Sequence, residues 1–121
     1  MFEDDKLTYK IIGCAMKVHN ALGCGFQEVI YQRCLAKEFE NAGLSYEREK
    51  EMEIYYNNEM VGTRRIDFFV EDKVIVELKA LAKLDDVHLV QGKNYLKVFN
   101  LEVGLLINFG STSLETKRLF K

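Results

Sequence analysis

The sequence has no proline and no long run of apolar residues. Because a membrane-spanning helix needs about 18 or more consecutive apolar residues, the chain offers no candidate for one. Its first six residues, MFEDDK, are acidic, whereas a secretory signal begins with basic residues and continues with an apolar stretch. We therefore expect a cytoplasmic protein that has no membrane partner.

Cysteine and histidine are also scarce, with three and two residues, respectively. Cys14, Cys24 and Cys34 are odd in number and form no C-x-x-C pair, and two histidines add little to a zinc site. We therefore expect reduced thiols and neither a disulfide nor a structural zinc ion.

The chain lacks the excess of positive charge that is typical of proteins holding nucleic acid by bulk electrostatics, because its formal net charge is −2. The charge is unevenly distributed. Residues 1–60 carry 11 acidic and 7 basic side chains, whereas residues 61–121 carry 8 acidic and 10 basic ones. A positively charged surface is therefore expected in the second half.

The rest of the composition is that of a globular protein, with 48% hydrophobic and 30% charged residues among 121. We interpret residues 1–121 as one domain. Thr8 is the candidate cap of a first helix. Hydrophobic periodicity predicts helices near 8–22 and 26–42, strands near 44–56, 61–70 and 74–80, a third helix from Asp85 or Asp86, and strands near 103–109 and 116–120.

This order, α-α-β-β-β-α-β-β, favours a fold of the α/β class. Three consecutive strands joined by short turns are antiparallel, and a helix that crosses over to a fourth strand makes the next pair parallel. We therefore expect a mixed central sheet with helices on both faces, which is a three-layer α/β/α architecture.

Two polar residues interrupt the apolar faces of the predicted helices. On the second helix, Glu28 precedes Tyr31 on the stripe that should face the sheet. It either meets a partner there or points to water and balances the helix dipole. On the third helix, Gln91 lies at the centre of a stripe that includes Val87 and Val98, which predicts a buried amide with specific hydrogen bonds.

Two carboxylates are predicted to face each other on adjacent strands. If the loop 71–73 closes a regular hairpin, Asp67 lies opposite Glu77, with Cβ atoms about 5 Å apart. Like charges at that distance repel unless a cation or a shared proton offsets them, and a hard divalent cation would do so. The alternative is a structural ion-pair cluster, in which Arg65 and the opposite Lys79 neutralise the two acids.

These polar positions form motifs that are similar to those of a known family. In chain order they are GFQEVIY (25–31), RID (65–67), ELK (77–79), QGKNY (91–95) and GLLINFG (104–110). Over nearly its whole length, the chain resembles the GxxExxY family of the PD-(D/E)XK nuclease superfamily, with Ile66 in place of the named proline. The spacing of Gln91 and Tyr95 is similar to the Q-x-x-x-Y motif of RecB-like exonucleases. The resemblance implies a restriction-endonuclease-like core with sheet order 1-2-3-4-5.

The resemblance also implies metal-assisted hydrolysis of phosphodiester bonds, with Mg²⁺ or Mn²⁺ as the cofactor. The implied metal ligands are Asp67, Glu77 and the backbone carbonyl of Leu78. Lys79 would position or deprotonate the attacking water, and Glu28 would complete the acidic cluster. Gln91 would orient the water or a substrate phosphate. The candidate substrate contacts are Arg65, His88 and Tyr95.

We therefore expect a divalent-metal-dependent nuclease that acts on DNA. One alternative is a non-catalytic nucleic-acid-binding or protein-adaptor module that keeps the nuclease fold, which the short and acidic chain favours. A more distant alternative is a small-molecule enzyme that uses the carboxylates for acid–base chemistry. Besides nucleic acid, the partners considered are a second copy of the chain, forming a homodimer, and an unidentified protein.

Overall fold

A computed structural model of the chain describes residues 4–121, and residues 1–3 of the acidic segment MFEDDK lie outside the described residues. The described chain forms three helices and five strands in the predicted order. They are α1 (Asp4–Leu22), α2 (Glu28–Asn41), β1 (Tyr46–Tyr56), β2 (Glu59–Val70), β3 (Val74–Lys79), α3 (Asp86–Phe99), β4 (Val103–Asn108) and β5 (Glu115–Phe120). The order α-α-β-β-β-α-β-β is therefore confirmed.

Local interactions decide where the helices begin and end. Thr8, the predicted cap of α1, lies inside that helix, where its hydroxyl donates to the Asp5 carbonyl at 3.1 Å. After α2 the chain turns at Gly43, whose φ of 72° suits a residue without a side chain. At the start of α3, the Asp85 side chain accepts from the Val87 N–H at 3.0 Å, so Asp85 is the cap.

The strands form one mixed sheet in the order β1-β2-β3-β4-β5. β3 and β4 are parallel and are joined by α3, whereas the other neighbouring strands are antiparallel. Val70 pairs with Val74, and Phe68 with Val76, so the predicted register between β2 and β3 is confirmed. The mixed sheet and its strand order agree with the expected α/β fold.

Helices cover both faces of this sheet. On one face, α1 and α2 pack over a large apolar core to which Leu35 and Phe68 belong. On the other face, α3 packs through Leu96 against Ile75 in a smaller cluster. The three-layer α/β/α architecture is therefore confirmed. Among residues 4–121, no helix is both long enough and apolar enough to cross a bilayer.

Strand β2 departs from regular alternation close to its middle. Alternation predicts Ile66 on the same face as Phe68, but Ile66 packs on the α3 side together with Phe69. That prediction is wrong because the β1–β2 ladder skips Glu49 and Asp67, and Glu49 has a φ of 54°. The interruption leaves the backbone and side chain of Asp67 available for other hydrogen bonds.

Candidate active site

A polar cavity of about 400 Å³ opens where β2 and β3 approach the beginning of α2. It is lined by Glu28, Glu49, Arg64, Arg65, Asp67, Glu77, Leu78 and Lys79. Six of the nine candidate residues named from the sequence are therefore brought together here. The other three, Gln91, His88 and Tyr95, line a smaller adjoining cavity that shares Glu77 and Lys79 with the first.

Asp67 and Glu77 lie in the main cavity, and each carboxylate accepts a hydrogen bond from a backbone N–H of the other strand. The Asp67 N–H donates to Glu77 Oε2 at 3.1 Å, and the Leu78 N–H donates to Asp67 Oδ2 at 2.8 Å. Side-chain oxygens thus replace the ladder bonds that β2 and β3 no longer make beyond the Phe68–Val76 pair. The predicted proximity of the two carboxylates is confirmed.

The electrostatics of the cavity reflect a concentration of acidic groups. Burial raises the pKa of the Glu77 carboxyl to about 8, the charge of Asp67 adds to this effect, and Arg64 opposes it. Glu28 is exposed as a whole residue, but partial burial of its carboxyl and the nearby Asp67 raise its pKa, against the effect of Lys79. We therefore expect the Glu77 carboxyl to be protonated at neutral pH when no metal is bound.

The arginine that reaches Glu77 is Arg64, so the alternative in which Arg65 neutralises the acidic pair is wrong. Arg64 NH2 lies 3.4 Å from Glu77 Oε1, and its guanidinium lies over the Tyr95 ring, 5.0 Å from the centroid. Arg65 lines the cavity but forms its ion pair with Glu49, at 3.7 Å. The break in alternation on β2 accounts for this exchange of the two arginines.

Lys79 is the last residue of β3, and the buried Asn108 holds the chain that follows it. Asn108 is the partner of Lys79 in the parallel β3–β4 ladder. Its side chain accepts from the N–H groups of Leu81 and Gly110 and donates to the Leu81 carbonyl, at 2.8, 3.1 and 2.9 Å. A Cβ on Gly110 would lie 2.3 Å from the Leu81 nitrogen, so only glycine fits there. Sequence reasoning assigned no role to Asn108, although a polar residue at the end of an apolar strand was a usable signal.

Gln32 is a second residue that sequence reasoning missed. It is only 6% exposed, and its Nε2 donates to Asp67 Oδ1 at 3.2 Å. Its Oε1 accepts from Arg48 Nε at 2.7 Å, so both ends of the amide are used. The available signal was its spacing, because Gln32 lies four residues after Glu28 on the same face of α2. Gln32 therefore orients Asp67 from the α2 side.

Helix α3 presents a different face to the sheet from the one predicted. Val87 and Val98 are 63% and 49% exposed, and Gln91 is also exposed, so the prediction of a buried amide is wrong. The buried residue of this helix is Leu96. A Cβ on Gly92 would meet the Leu119 side chain at 2.3 Å, so this side chain of β5 packs directly on the backbone of α3. This close approach sets the rotation of the helix.

His88 and Tyr95 lie on α3 beside the smaller cavity, together with Gln91. His88 Nδ1 accepts from the Asp85 N–H at 3.2 Å, which completes a capping box at the start of the helix. Tyr95 forms the aromatic surface beneath Arg64. His88 thus has a structural contact of its own, and Tyr95 is connected to Glu77 through an arginine.

The donor set of the main cavity is suited to a hard divalent cation. Within residues 4–121, no three His, Cys, Asp or Glu side chains are grouped so that they could hold a metal ion by themselves. Mg²⁺, however, is commonly bound by one or two carboxylates together with water and substrate phosphates. Asp67 and Glu77 supply two neighbouring carboxyl groups, and burial together with the charge of Asp67 raises the pKa of Glu77, so a cation in the cavity would stabilise its ionised form.

Comparison with solved structures agrees with the overall fold. A crystal structure of SSO0001 has a similar fold, with a TM-score of 0.54 and 12% sequence identity, covering 95% of this chain and 77% of that chain. At this identity the likeness shows a common fold and nothing about the reaction. A search of curated protein sequences returns no match.

A family model gives the more specific result. The model described as the PD-(D/E)XK nuclease superfamily matches residues 5–119, which is nearly the whole chain. Members of this superfamily generally use divalent metals, and the match supports a nuclease-type function with a nucleic-acid substrate. The restriction-endonuclease-like fold expected from the sequence agrees with this match and with the observed sheet. The chain therefore belongs to the PD-(D/E)XK nuclease superfamily.

Proposed function

We propose that the protein is a divalent-metal-dependent nuclease that hydrolyses phosphodiester bonds in DNA. The observation that carries this proposal is the contact between Asp67 and Glu77 in a cavity that Lys79 also lines. Within the superfamily, we assign the chain to the GxxExxY family on the basis of segment 25–31. We further propose that residues 1–121 act as one cytoplasmic domain.

The residues that would hold Mg²⁺ or Mn²⁺ are Asp67, Glu77 and the backbone carbonyl of Leu78. When bound, the ion would supply Lewis-acid stabilisation of the charge that builds up on the phosphate. Glu77 must release its proton for this, because a carboxylate ligand is ionised. Metal binding is therefore expected to release a proton at neutral pH.

Lys79 is the central group that the chain itself supplies to the reaction. Its ammonium group has three N–H donors and lines the cavity together with Glu77. From there the ammonium would orient the attacking water and stabilise negative charge on the phosphate, whereas only a neutral Lys79 amine could accept the proton of that water. Because Asn108 and Gly110 hold the chain after β3, Lys79 keeps its place beside the carboxylates.

Further residues extend the site on both sides of this centre. Glu28, at the first position of α2, would complete the acidic cluster directly or through a water. Gln91 lines the adjoining cavity, from which its amide would orient that water or a substrate phosphate. The proposed substrate contacts are Arg65, His88 and Tyr95.

A non-catalytic nucleic-acid-binding or protein-adaptor module is the second candidate. It is favoured by the 3.4 Å contact between Arg64 and Glu77, because an internal cation offsets part of the charge that a metal ion would balance. Such a module would bind nucleic acid or protein and would cleave no substrate in the presence of any divalent metal.

The test is cleavage of plasmid, linear and single-stranded DNA in the presence of Mg²⁺ or Mn²⁺. We expect the native protein to cleave DNA, and we expect cleavage to stop when the metal is chelated. Asp67→Ala and Lys79→Ala are each expected to reduce the cleavage rate by about 100-fold or more, because each removes a group that acts on the transition state.

The controls replace an exposed glutamate and an exposed lysine outside the cavity. Glu59→Ala and Lys117→Ala change exposed side chains on β2 and β5 and are expected to keep the native rate. Cleavage that persists in both Asp67→Ala and Lys79→Ala would reject the nuclease assignment. Binding of DNA by the native protein without cleavage in either metal would support the adaptor module instead.

A further inference from the structure

A second polar cavity, of about 540 Å³, lies beside the candidate active site, between α2 and β1. We call it the α2–β1 groove, and it is lined by Arg33, Ala36, Lys37, Glu40, Tyr46 and Arg48. Three of these six side chains are cationic and one is acidic. The groove is thus a locally basic surface on a chain whose formal net charge is −2.

The cations of the groove are largely available to a ligand. Arg33 and Lys37 are exposed, lie about one turn apart on α2, and form no ion pair with any residue of the 4–121 range. Glu40, the acid of the groove, accepts a hydrogen bond from the Tyr46 hydroxyl. A ligand entering the groove would therefore meet two unpaired positive charges.

Arg48 connects the groove with the candidate active site. Its Nε donates to Gln32 Oε1 at 2.7 Å, and Gln32 Nε2 donates to Asp67 Oδ1 at 3.2 Å. Its NH2 lies 3.9 Å from Glu49, which lines the active-site cavity. Two hydrogen bonds through one side chain therefore separate a groove cation from the proposed metal ligand Asp67.

We infer that the α2–β1 groove binds the backbone phosphates that flank the cleaved bond of the DNA substrate. The inference rests on the proposed nuclease function, since it assigns the path of the strand that leaves the active site. Arg33, with its fork of N–H donors, and Lys37, as a point charge, suit phosphate oxygens along a strand. All three cations belong to residues 1–60, although the excess of basic side chains lies in residues 61–121.

The test measures binding of fluorescent single-stranded and double-stranded DNA oligonucleotides by anisotropy, with a chelator present so that no strand is cut. The variant Arg33→Gln/Lys37→Gln removes both unpaired cations. Two lost phosphate contacts should reduce the slope of log affinity against log salt by about 1.8 for duplex and about 1.4 for single strands. Between about 50 and 200 mM salt, the native protein should lose roughly tenfold more duplex affinity than the variant.

The matched control, Lys6→Gln/Lys117→Gln, removes the same net charge at the opposite edge of the sheet. Lys117 lies on β5, and the 3.7 Å contact of Asp5 with Arg118 places the beginning of α1 beside that strand. The control should keep the native salt slope, because its lysines lie far from the groove. The exchange Arg33→Lys/Lys37→Arg keeps both charges and should also keep the slope.

The outcomes separate this inference from the proposed function. A groove variant whose salt slope equals that of the native protein overturns the inference, whether or not the native protein cleaves DNA. The inference is also overturned if the salt slope of the control falls as much as that of the groove variant. If the slope falls only in the groove variant while the native protein cleaves nothing in Mg²⁺ or Mn²⁺, the groove binds DNA and the nuclease assignment fails.

Discussion

Helices α2 and α3 face opposite sides of one sheet, yet they pack against it very differently. On α2, Tyr31, Leu35 and Phe39 are all 0% exposed, whereas Val87 and Val98 on α3 are 63% and 49% exposed. The apolar packing that determines the fold is therefore concentrated on the α1–α2 side. α3 is held by a smaller cluster and by a capped first turn.

This difference extends into the candidate active site. Asp67 is bonded to the backbone of β3 and to the buried Gln32 of α2, so it belongs to the firmly packed side. Gln91 and Tyr95 are carried by α3 and line only the smaller cavity. We expect the carboxylates to be held in place before substrate binds, and the α3 residues to adjust to the substrate.

The largest effect should come from truncating the core of the α2 side. Leu35→Ala is expected to lower the free energy of unfolding by about 3 kcal/mol, because it leaves a cavity in a close-packed core. Val98→Ala on α3 should lower it by less than about 0.5 kcal/mol, because that side chain is half exposed. Urea denaturation followed by circular dichroism compares the two. Equal losses of unfolding free energy in the two variants would show that the α1–α2 layer and the α3 layer contribute equally to stability.

A smaller effect is expected from the two glutamines that flank the site. Gln32→Ala leaves Asp67 and Arg48 without their amide partner and should weaken Mn²⁺ binding by about 10-fold to 100-fold. Gln91→Ala should leave Mn²⁺ affinity within about twofold and reduce only kcat/KM, because Gln91 lies on the adjustable side. Calorimetric titration and cleavage kinetics check both variants. If Gln91→Ala weakened Mn²⁺ binding and Gln32→Ala did not, the metal site would depend on α3 and not on α2.

A pH dependence of stability is also expected on the firmly packed side. Folding raises the pKa of Glu77 to about 8, so its favourable contribution to the metal-free protein is complete at low pH and is lost as pH rises toward that value. Between pH values of about 5 and 9, the urea midpoint of the chelated native protein should fall. Glu77→Gln, which cannot ionise, should show a smaller decrease. An identical decrease in both proteins would show that a group other than Glu77 causes the pH dependence.

The elements that periodicity predicts best are those with one dominant apolar face. The α2 stripe to which Tyr31 belongs continues with Leu35 and Phe39, and the structure buries all three side chains. On α3, two nearly equal apolar stripes compete, and the choice between them depends on the approach of Gly92 to β5, which is a tertiary contact. Helical spacing alone therefore predicts the existence of α3 but gives its orientation incorrectly.

The candidate site shows the same division between local and tertiary information. The short β2–β3 connection fixes the register, and the register brings Asp67 to Glu77. The pairing of Glu77 with Arg64 and not with Arg65 could not be predicted. It follows from the interruption of the β1–β2 ladder at Glu49, for which the sequence contains no signal. Motif spacing thus identified Asp67 and Glu77, whereas their cationic partner could be identified only from the structure.

The most direct measurement of the central claim is a calorimetric titration with Mn²⁺ in the absence of DNA. The contact between Asp67 and Glu77 predicts saturable binding by the native protein, with proton release near neutral pH as Glu77 ionises. Glu77→Ala should lose this binding, whereas the exposed control Glu59→Ala should retain it. Identical titrations of the native protein and Glu77→Ala would contradict the claim that these two carboxyl groups form the metal site.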